Sequence, residues 1–347
     1  ELAKQLESQL ARAIDPKLKD ELLAIFKEPK KDATRNLSGA AIQVIAKYVP
    51  GFVGGSADLD PSTKTAIKGG GDVSHENFAG KNIHFGVREH AMGSLANGLA
   101  YTQAWIPYTA TFLVFSDYMR PAMRVGAISH LQALYIFTHD SFWVGEDGPT
   151  HEPIEHVMSL RLIPNMRVLR PADGVEVAMC YYAALTHKHG PSTLIFSRQN
   201  LPSLTRPASF SPDDVLKGGY ILKEGVLKDS SQPKLVLVAT GSEVGAAVEA
   251  ATMLEAEGHS VQVVSMPCVE LFTAQSAAYK AELFPAGARI AVVEAGVTLG
   301  WSSILGRDAL AIGIDHYGAS APGEILAEKF GFTGQAIKER IAAWIES

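Results

Sequence analysis

At 347 residues, with 47% hydrophobic and 20% charged content, the chain can bury a core and has room for two ordinary domains, which excludes a disordered protein. Its net charge of −6, with no long Lys/Arg cluster, gives no reason to expect a nucleic-acid partner. No apolar run is long enough to span a bilayer and no signal-peptide core is present, so no membrane partner is expected either.

In chain order, Leu2, Leu6, Leu10, Leu18, Leu22, Leu23 and Phe26 fall at helical spacing, interrupted by Asp15-Pro16, and predict two short helices. With the polar run Glu28 to Asp32 they read as a helical linker, residues 1–33, entering from something upstream. The chain starts at Glu1 rather than Met, which reads as a piece trimmed, processed or excerpted from a longer protein.

From 34 to 206 helix and strand alternate. Helices are expected over Leu37–Val49 and Glu89–Tyr101, the latter with Met92, Leu95, Ala96 and Leu99 inward. Strands are expected at Gly51–Gly55, Ile83–Gly86, Tyr135–Thr138, Arg167–Leu169 and Thr193–Phe196. Such alternation argues for a mainly parallel twisted sheet covered by helices on both faces. The polar, proline-bearing stretch around Leu204–Asp214 marks a boundary, and 207–347 reads as a second, smaller α/β domain of the same kind. Its strands are Lys234–Ala239, Ser260–Ser265 and Arg289–Val293, with Ser242 as a helix cap and closing helices near Glu324–Phe330 and Gln335–Ile345. The two cysteines, Cys180 and Cys268, match no metal-ligand spacing and read as buried thiols of a reducing compartment, hence a cytoplasmic location.

Chemistry is expected first on the loop His139–His151, which follows the strand ending at Thr138. Two histidines and three acids lie there on a glycine-bearing βα connection, the edge where open α/β sheets bind small molecules. A helix is expected to follow, with Thr150 as N-cap, Pro153 in its first turn and Ile154, Val157, Met158 and Leu162 on one face. His139 and His151 are each compatible with a structural role; together, with Asp147 between them, they favour acid–base work over metal binding, for which no third ligand stands at a known spacing. Glu89 opens a helix, where an acid complements the dipole, or else shares a proton with a basic heteroatom. Phe112, Phe115 and Tyr118, at i, i+3 and i+6, are core packing or a flat pocket for a planar ring. Arg35, Ser62, His84 and Arg198 are not selected by pattern alone. Asp173-Gly174 with Asn200 mimics the separation of a metal–diphosphate motif, but Ala172 stands where glycine is needed and Gly174 opens an ordinary helix, so the match is rejected.

The motifs, in their order, resemble those of the transketolase family: Gly54–Leu59, Gly86–His90, Thr111–Phe115, Thr138–Ser141, Gly145–His151, Arg170–Asp173 and Ser197–Leu201, then Ala239–Glu243, Val264–Pro267, Val293–Gly296 and Gly331–Thr333. The resemblance covers the chain from about Thr34 and is to the pyrimidine-binding and C-terminal domains. The family's N-terminal domain, which holds thiamine diphosphate through a Mg2+ or Ca2+ ion, has no counterpart here, so no metal ligand is expected in this chain. The resemblance implies transfer of a two-carbon ketol unit from a ketose phosphate to an aldose phosphate. It also implies that this chain is the C-terminal half, as a fragment or a split subunit, inactive alone and assembled as a homodimer or with a chain carrying the missing domain. By motif position, Glu89 meets N1′ of the aminopyrimidine; Phe112, Phe115 and Tyr118 form the ring pocket; and Asp58 lies on the thiazolium side. His151 sits by the 4′-amino group, and Asp147 reads the substrate hydroxyls. Arg35, Ser62, His139 and Arg198 hold the sugar phosphate. Phe142-Trp143 is bulkier than the pair relatives carry there, and the resemblance leaves open whether that bulk narrows the substrate channel or shifts substrate preference. Dihydroxyacetone synthase, 1-deoxyxylulose-5-phosphate synthase, an E1 β-type subunit and a non-catalytic regulatory or dimerisation fragment are the alternatives.

Overall fold

The computed structural model describes residues 2–225 and 235–347; Lys234, expected at the head of a strand, and the side chain of Leu2 lie outside the described residues. The first half of the chain contributes strands β1 (Asp32–Ala33), β2 (Phe52–Ser56), β3 (Ile106–Phe112), β4 (Leu134–Thr138), β5 (Arg167–Leu169), β6 (Ser192–Phe196) and β7 (Asn200–Leu201). The second contributes β8 (Tyr220–Lys223), β9 (Leu235–Ala239), β10 (Val261–Ser265), β11 (Arg289–Val293) and β12 (Leu310–Ile312).

One sheet has the order β2-β3-β4-β6-β5 and is parallel throughout. Both of its faces are covered, which is why β4 reads as an unbroken apolar run rather than an alternating one. The other sheet has the order β12-β11-β9-β10-β8, parallel except for the edge strand β8. β1 and β7 pair as a short antiparallel ribbon that ties the entry of the first half to its exit.

The helix Thr34–Tyr48 buries Leu37, Ala41, Ile42, Val44 and Ile45, the stripe its periodicity foretells. Gly174–Thr186 starts on Asp173, whose carboxylate accepts the Glu176 N–H at 3.1 Å. The helix Lys17–Ala24 inserts Leu18 and Leu22, both fully buried, into the same hydrophobic cluster, so this part of the expected linker is core. That cluster continues from the first sheet into the second.

Several local expectations are corrected. Ile83–Gly86 is not a strand: the chain meets β2 at one isolated bridge, where Gly54 N–H donates to Lys81 O at 3.1 Å and the Ile83 N–H donates to Gly54 O at 2.7 Å, then turns away toward Glu89. β2 admits that close approach because Gly55 has no side chain; a Cβ there would meet Ile83 O at 2.0 Å. Leu95 is 56% exposed, and Leu99 is only partly buried, because the inward stripe of its helix is Met92, Gly93, Ala96 and Ala100. The helix after the loop begins at His156, without a side-chain cap from Thr150, and Leu162 is exposed. Pro153 disfavours helical geometry at Glu152, which delays the start. Ser242 lies in a 3-10 turn and caps no helix; its hydroxyl donates to Asp140 instead.

Candidate active site at the strand edge

The C-terminal ends of β2, β3, β4 and β6 open on one side of the first sheet. Glu89 is delivered there by the first turn of Glu89–Tyr101 and is only 7% exposed. Thr111 Oγ1 from β3 donates to its Oε1 at 3.4 Å. Gly93, whose Cβ would stand 2.7 Å from Met119 Cγ, lets this helix lie close on Ser116–Ile128 and fixes the depth of Glu89.

The three aromatic residues form a row, though not on one helix. Phe112 ends β3, Phe115 sits in a 3-10 turn and Tyr118 is in the following helix. The Phe112 and Phe115 rings are near-parallel with centroids 5.9 Å apart, and Phe115 and Tyr118 follow at 6.1 Å. Tyr118 is 65% exposed, an open end to an otherwise covered row.

His139 follows β4 at φ +64, a left-handed conformation uncommon for a residue with a side chain and typical of sites where geometry is imposed. Its ring lies 3.7 Å from that of Phe112, centroid to centroid. Nδ1 is 2.7 Å from Thr138 Oγ1 and Nε2 is 3.5 Å from Arg35 Nη1. A guanidinium only donates, so Nε2 accepts and Nδ1 carries the proton. Burial first, then Arg35, Arg198 and His151, pull the His139 pKa down to about 3, which keeps the imidazole neutral. Arg35 also donates to the Ser62 carbonyl at 3.1 Å; Ser62 joins this group through its main chain. His151 is half-buried, with Nδ1 2.9 Å from Thr150 Oγ1 and its ring edge-on to Phe115 at 5.6 Å.

Thus Glu89, the aromatic row, His139, His151, Arg35 and the Ser62 carbonyl gather at one edge. Asp58, in left-handed backbone after β2, is exposed, as are Asp147 and Arg198. Arg198 lines a cleft of about 660 Å3 with Trp143, Gln199, Ser242 and Glu324. His84 is exposed beside Asp72, 3.1 Å away. The two bulky residues Phe142 and Trp143 have different surroundings. Phe142 is fully buried against Phe330 and Phe332 at 5.5 and 5.2 Å, because the second half offers it an aromatic socket; only Trp143 reaches the cleft.

Asp173 is a structural residue. Besides capping its helix it is gripped by Arg206 through Nη1 at 2.7 Å and Nη2 at 2.9 Å. What pattern reading did not foresee is the buried charge cluster next to the site. Arg170, fully buried, donates to Asp140 Oδ2 at 2.7 Å, to Thr240 O and Oγ1 at 3.0 and 2.9 Å, and to Glu243. Arg161 forks onto both oxygens of Glu294 at 2.8 Å each. Burial pushes the Glu243 carboxyl up to about 7 despite Arg170 beside it. Burial acts likewise on Glu294, but Arg161 and Arg170 outweigh it and hold that carboxyl below its ordinary value. The one signal in the sequence was an arginine at a strand end, in Arg170-Pro171, where a solvated side chain is the usual reading. Glu152, next to His151, is 2% exposed, and burial raises its carboxyl to about 7 against the backbone N–H of Ala319, which pulls it down.

Comparison with known proteins gives two family matches: the transketolase pyrimidine-binding domain over residues 30–203 and the transketolase-like C-terminal domain over 218–333. The transketolase of Halalkalibacterium halodurans is 46% identical, covering 100% of this chain and 52% of its own length. That of Physarum polycephalum is 49% identical over 88% of this chain and 45% of its own. The chain spans about half the length of the curated relatives it matches. Among solved structures, the transketolase from Leishmania mexicana superposes with a TM-score of 0.89 at 38% identity, covering 97% of this chain and 48% of that one. A protein described as a split-gene transketolase, an inactive beta4 tetramer, matches with a TM-score of 0.71 at 25% identity, covering 91% of this chain and 99% of that one.

Proposed function

Since this chain belongs to the transketolase family, we propose that it supplies the pyrimidine-facing half of a thiamine-diphosphate site and, with a diphosphate-binding partner, transfers a two-carbon ketol unit between sugar phosphates. The observation that carries this reading is a nearly buried Glu89 carboxylate held by Thr111 at the end of β3, the strand whose next residue, Phe112, opens the Phe112–Phe115–Tyr118 row. An aminopyrimidine is flat, with apolar faces and a polar edge; the aromatic row fits the faces and Glu89 the edge. When bound, the cofactor supplies the carbon nucleophile of the reaction.

The roles of this chain's residues follow from their surroundings. Glu89 holds a proton shared with the pyrimidine edge, out of contact with bulk water. The neutral His139 offers Nε2 as an acceptor that Arg35 covers now; with an anionic substrate present, Arg35 turns its donors to the phosphate, as Arg198 does from the cleft side. His151 moves a substrate hydroxyl proton, and Asp147, exposed at the rim, reads hydroxyl stereochemistry. Asp58 completes the far wall, and Ser62 lines it beside Arg35. The metal and diphosphate do not fit here, since Asp173 is committed to Arg206 and its helix; a Mg2+ or Ca2+ clamp belongs to the partner domain.

We take residues 1–33 as the linker from that domain, 34–206 as the pyrimidine-binding unit and 207–347 as the C-terminal unit, acting in the cytoplasm as part of a homodimer or heteromer. The match to a split-gene protein over 99% of its length supports the separate-subunit arrangement. A transketolase assay with this chain alone, and again after addition of a chain bearing the diphosphate-binding domain, tests the proposal. Activity is expected only in the mixture; turnover by the chain alone refutes the half-site reading.

A further inference from the structure

Where the first turn of helix Ser116–Ile128 meets the start of helix His156–Arg161, Asp117, Glu155 and His156 each offer a ligand atom, all within 4.8 Å of one another. Among the described residues no other group of three His, Cys, Asp or Glu side chains does so. Two exposed acids at helix starts are explained by the dipole and carry nothing alone.

His156 is the independent observation. The residue is 4% exposed, and its Nε2 stands 3.2 Å from Asp117 Oδ2. Its Nδ1 is buried with no hydrogen-bond partner and faces Glu155 Oε2 at 3.8 Å, too far for a hydrogen bond. In a neutral imidazole one nitrogen donates and the other accepts. A neutral ring has one N–H for two carboxylates, so with Nε2–H given to Asp117 the Nδ1 lone pair faces the Glu155 carboxylate, acceptor against acceptor. A cation placed between them satisfies both.

We propose that Asp117, Glu155 and His156 form a binding site for a divalent transition-metal cation such as Zn2+ or Mn2+, clipping the two helices together. Two ligands of a tetrahedral ion at the usual bond lengths stand roughly 3.4 Å apart. Glu155, whose side chain is 51% exposed, closes the small remaining difference by rotating. Asp117, on the Nε2 side, orients the ring from outside, the arrangement metal-bound histidines ordinarily show. Imidazole with carboxylates suits Zn2+, Mn2+ or Co2+ better than Ca2+. Asp117, at 58% side-chain exposure, leaves an entry path from solvent. The neighbouring cation Arg120 is turned aside, donating to Ser159 O at 2.9 Å.

The site does not depend on the function proposed above, so the test uses the chain without cofactor or substrate. Co2+ titration read by visible absorption, with Zn2+ calorimetry in parallel, is expected to show one ion per chain and a Zn2+-dependent rise in melting temperature. Glu155→Gln and Asp117→Asn, at exposed positions that do not threaten folding, weaken binding by about 10- to 100-fold, and His156→Gln abolishes the Co2+ bands. No Co2+ band, or a band and affinity unchanged in Glu155→Gln and His156→Gln, overturns the proposal and leaves His156 as a histidine hydrogen-bonded to Asp117.

Discussion

The two five-stranded sheets present the same kind of edge and use it in opposite ways. In the first, the ends of β3 and β4 carry Phe112 and His139, with Glu89 brought in beside them, and most of these polar groups keep capacity for a ligand. In the second, the chain leaves β9 for β10 on one side and then crosses to β11 on the other, so the crevice between β9 and β11 is a topological switch point, where ligands are expected. Thr240, Glu243 and Glu294 line it, and Arg170 and Arg161 from the first half fill it. Both are edges at the C-terminal ends of parallel strands, where open sheets bind ligands; satisfaction by the chain's own arginines closes one. The division runs through adjacent residues, since His139 faces the open edge while Asp140 binds Arg170 and Ser242.

The sharpest way to break this comparison is Arg170→Ala, which takes the arginine partner from the buried acids Asp140 and Glu243. A loss of about 3–5 kcal/mol in urea unfolding is expected; a loss below about 1 kcal/mol means the crevice is wetter than the comparison requires. At the open edge the converse holds. Glu89→Gln is expected to leave unfolding within about 0.5 kcal/mol of the parent, while cutting turnover of the reconstituted enzyme by about 10²–10⁴-fold. Loss of stability without loss of turnover reverses the assignment of the two edges.

Titration separates the regions as well. Glu152 and Glu243 have folded values of about 7 against an ordinary 4.5, so each favours the folded state below pH 4.5 and loses that contribution as pH rises through 7. His139, at about 3 against 6.5, works the other way: its contribution is present above 6.5 and is lost as pH falls toward 3. Glu152→Gln is therefore expected to flatten the decline of melting temperature between pH 4.5 and 7, and His139→Gln the decline on the acid side below 6.5. The smallest effect belongs to Thr150→Ala. As Thr150 caps no helix, unfolding should change by less than about 0.5 kcal/mol, where a true N-cap costs about 1 kcal/mol.

The open edge was legible because its residues are few, polar and strung on βα connections, and because motifs such as Gly145–His151 carry a family resemblance. The closed edge was not. Arg170, Glu243 and Glu294 lie far apart in the chain, and nothing local distinguishes a buried arginine from a solvated one. Spacing puts Leu95 inward and Leu162 on one face with Ile154, Val157 and Met158, yet both are exposed, since an apolar residue at helical spacing does not state whether its face is covered.

By itself, then, the sequence determined the alternation of helix and strand, the apolar runs of β4 and β9, the placement of Glu89 at a helix start and the position of the His139–His151 loop. These rest on short-range rules of periodicity, capping and backbone restriction. Only the tertiary structure decided which charges are neutralised by partners from the other half, that Phe142 leaves the channel for a socket made by Phe330 and Phe332, and that His156 meets Asp117 with a nitrogen left over. Each depends on groups distant in sequence sharing one desolvated volume, and desolvation is a property of the packed fold rather than of any segment.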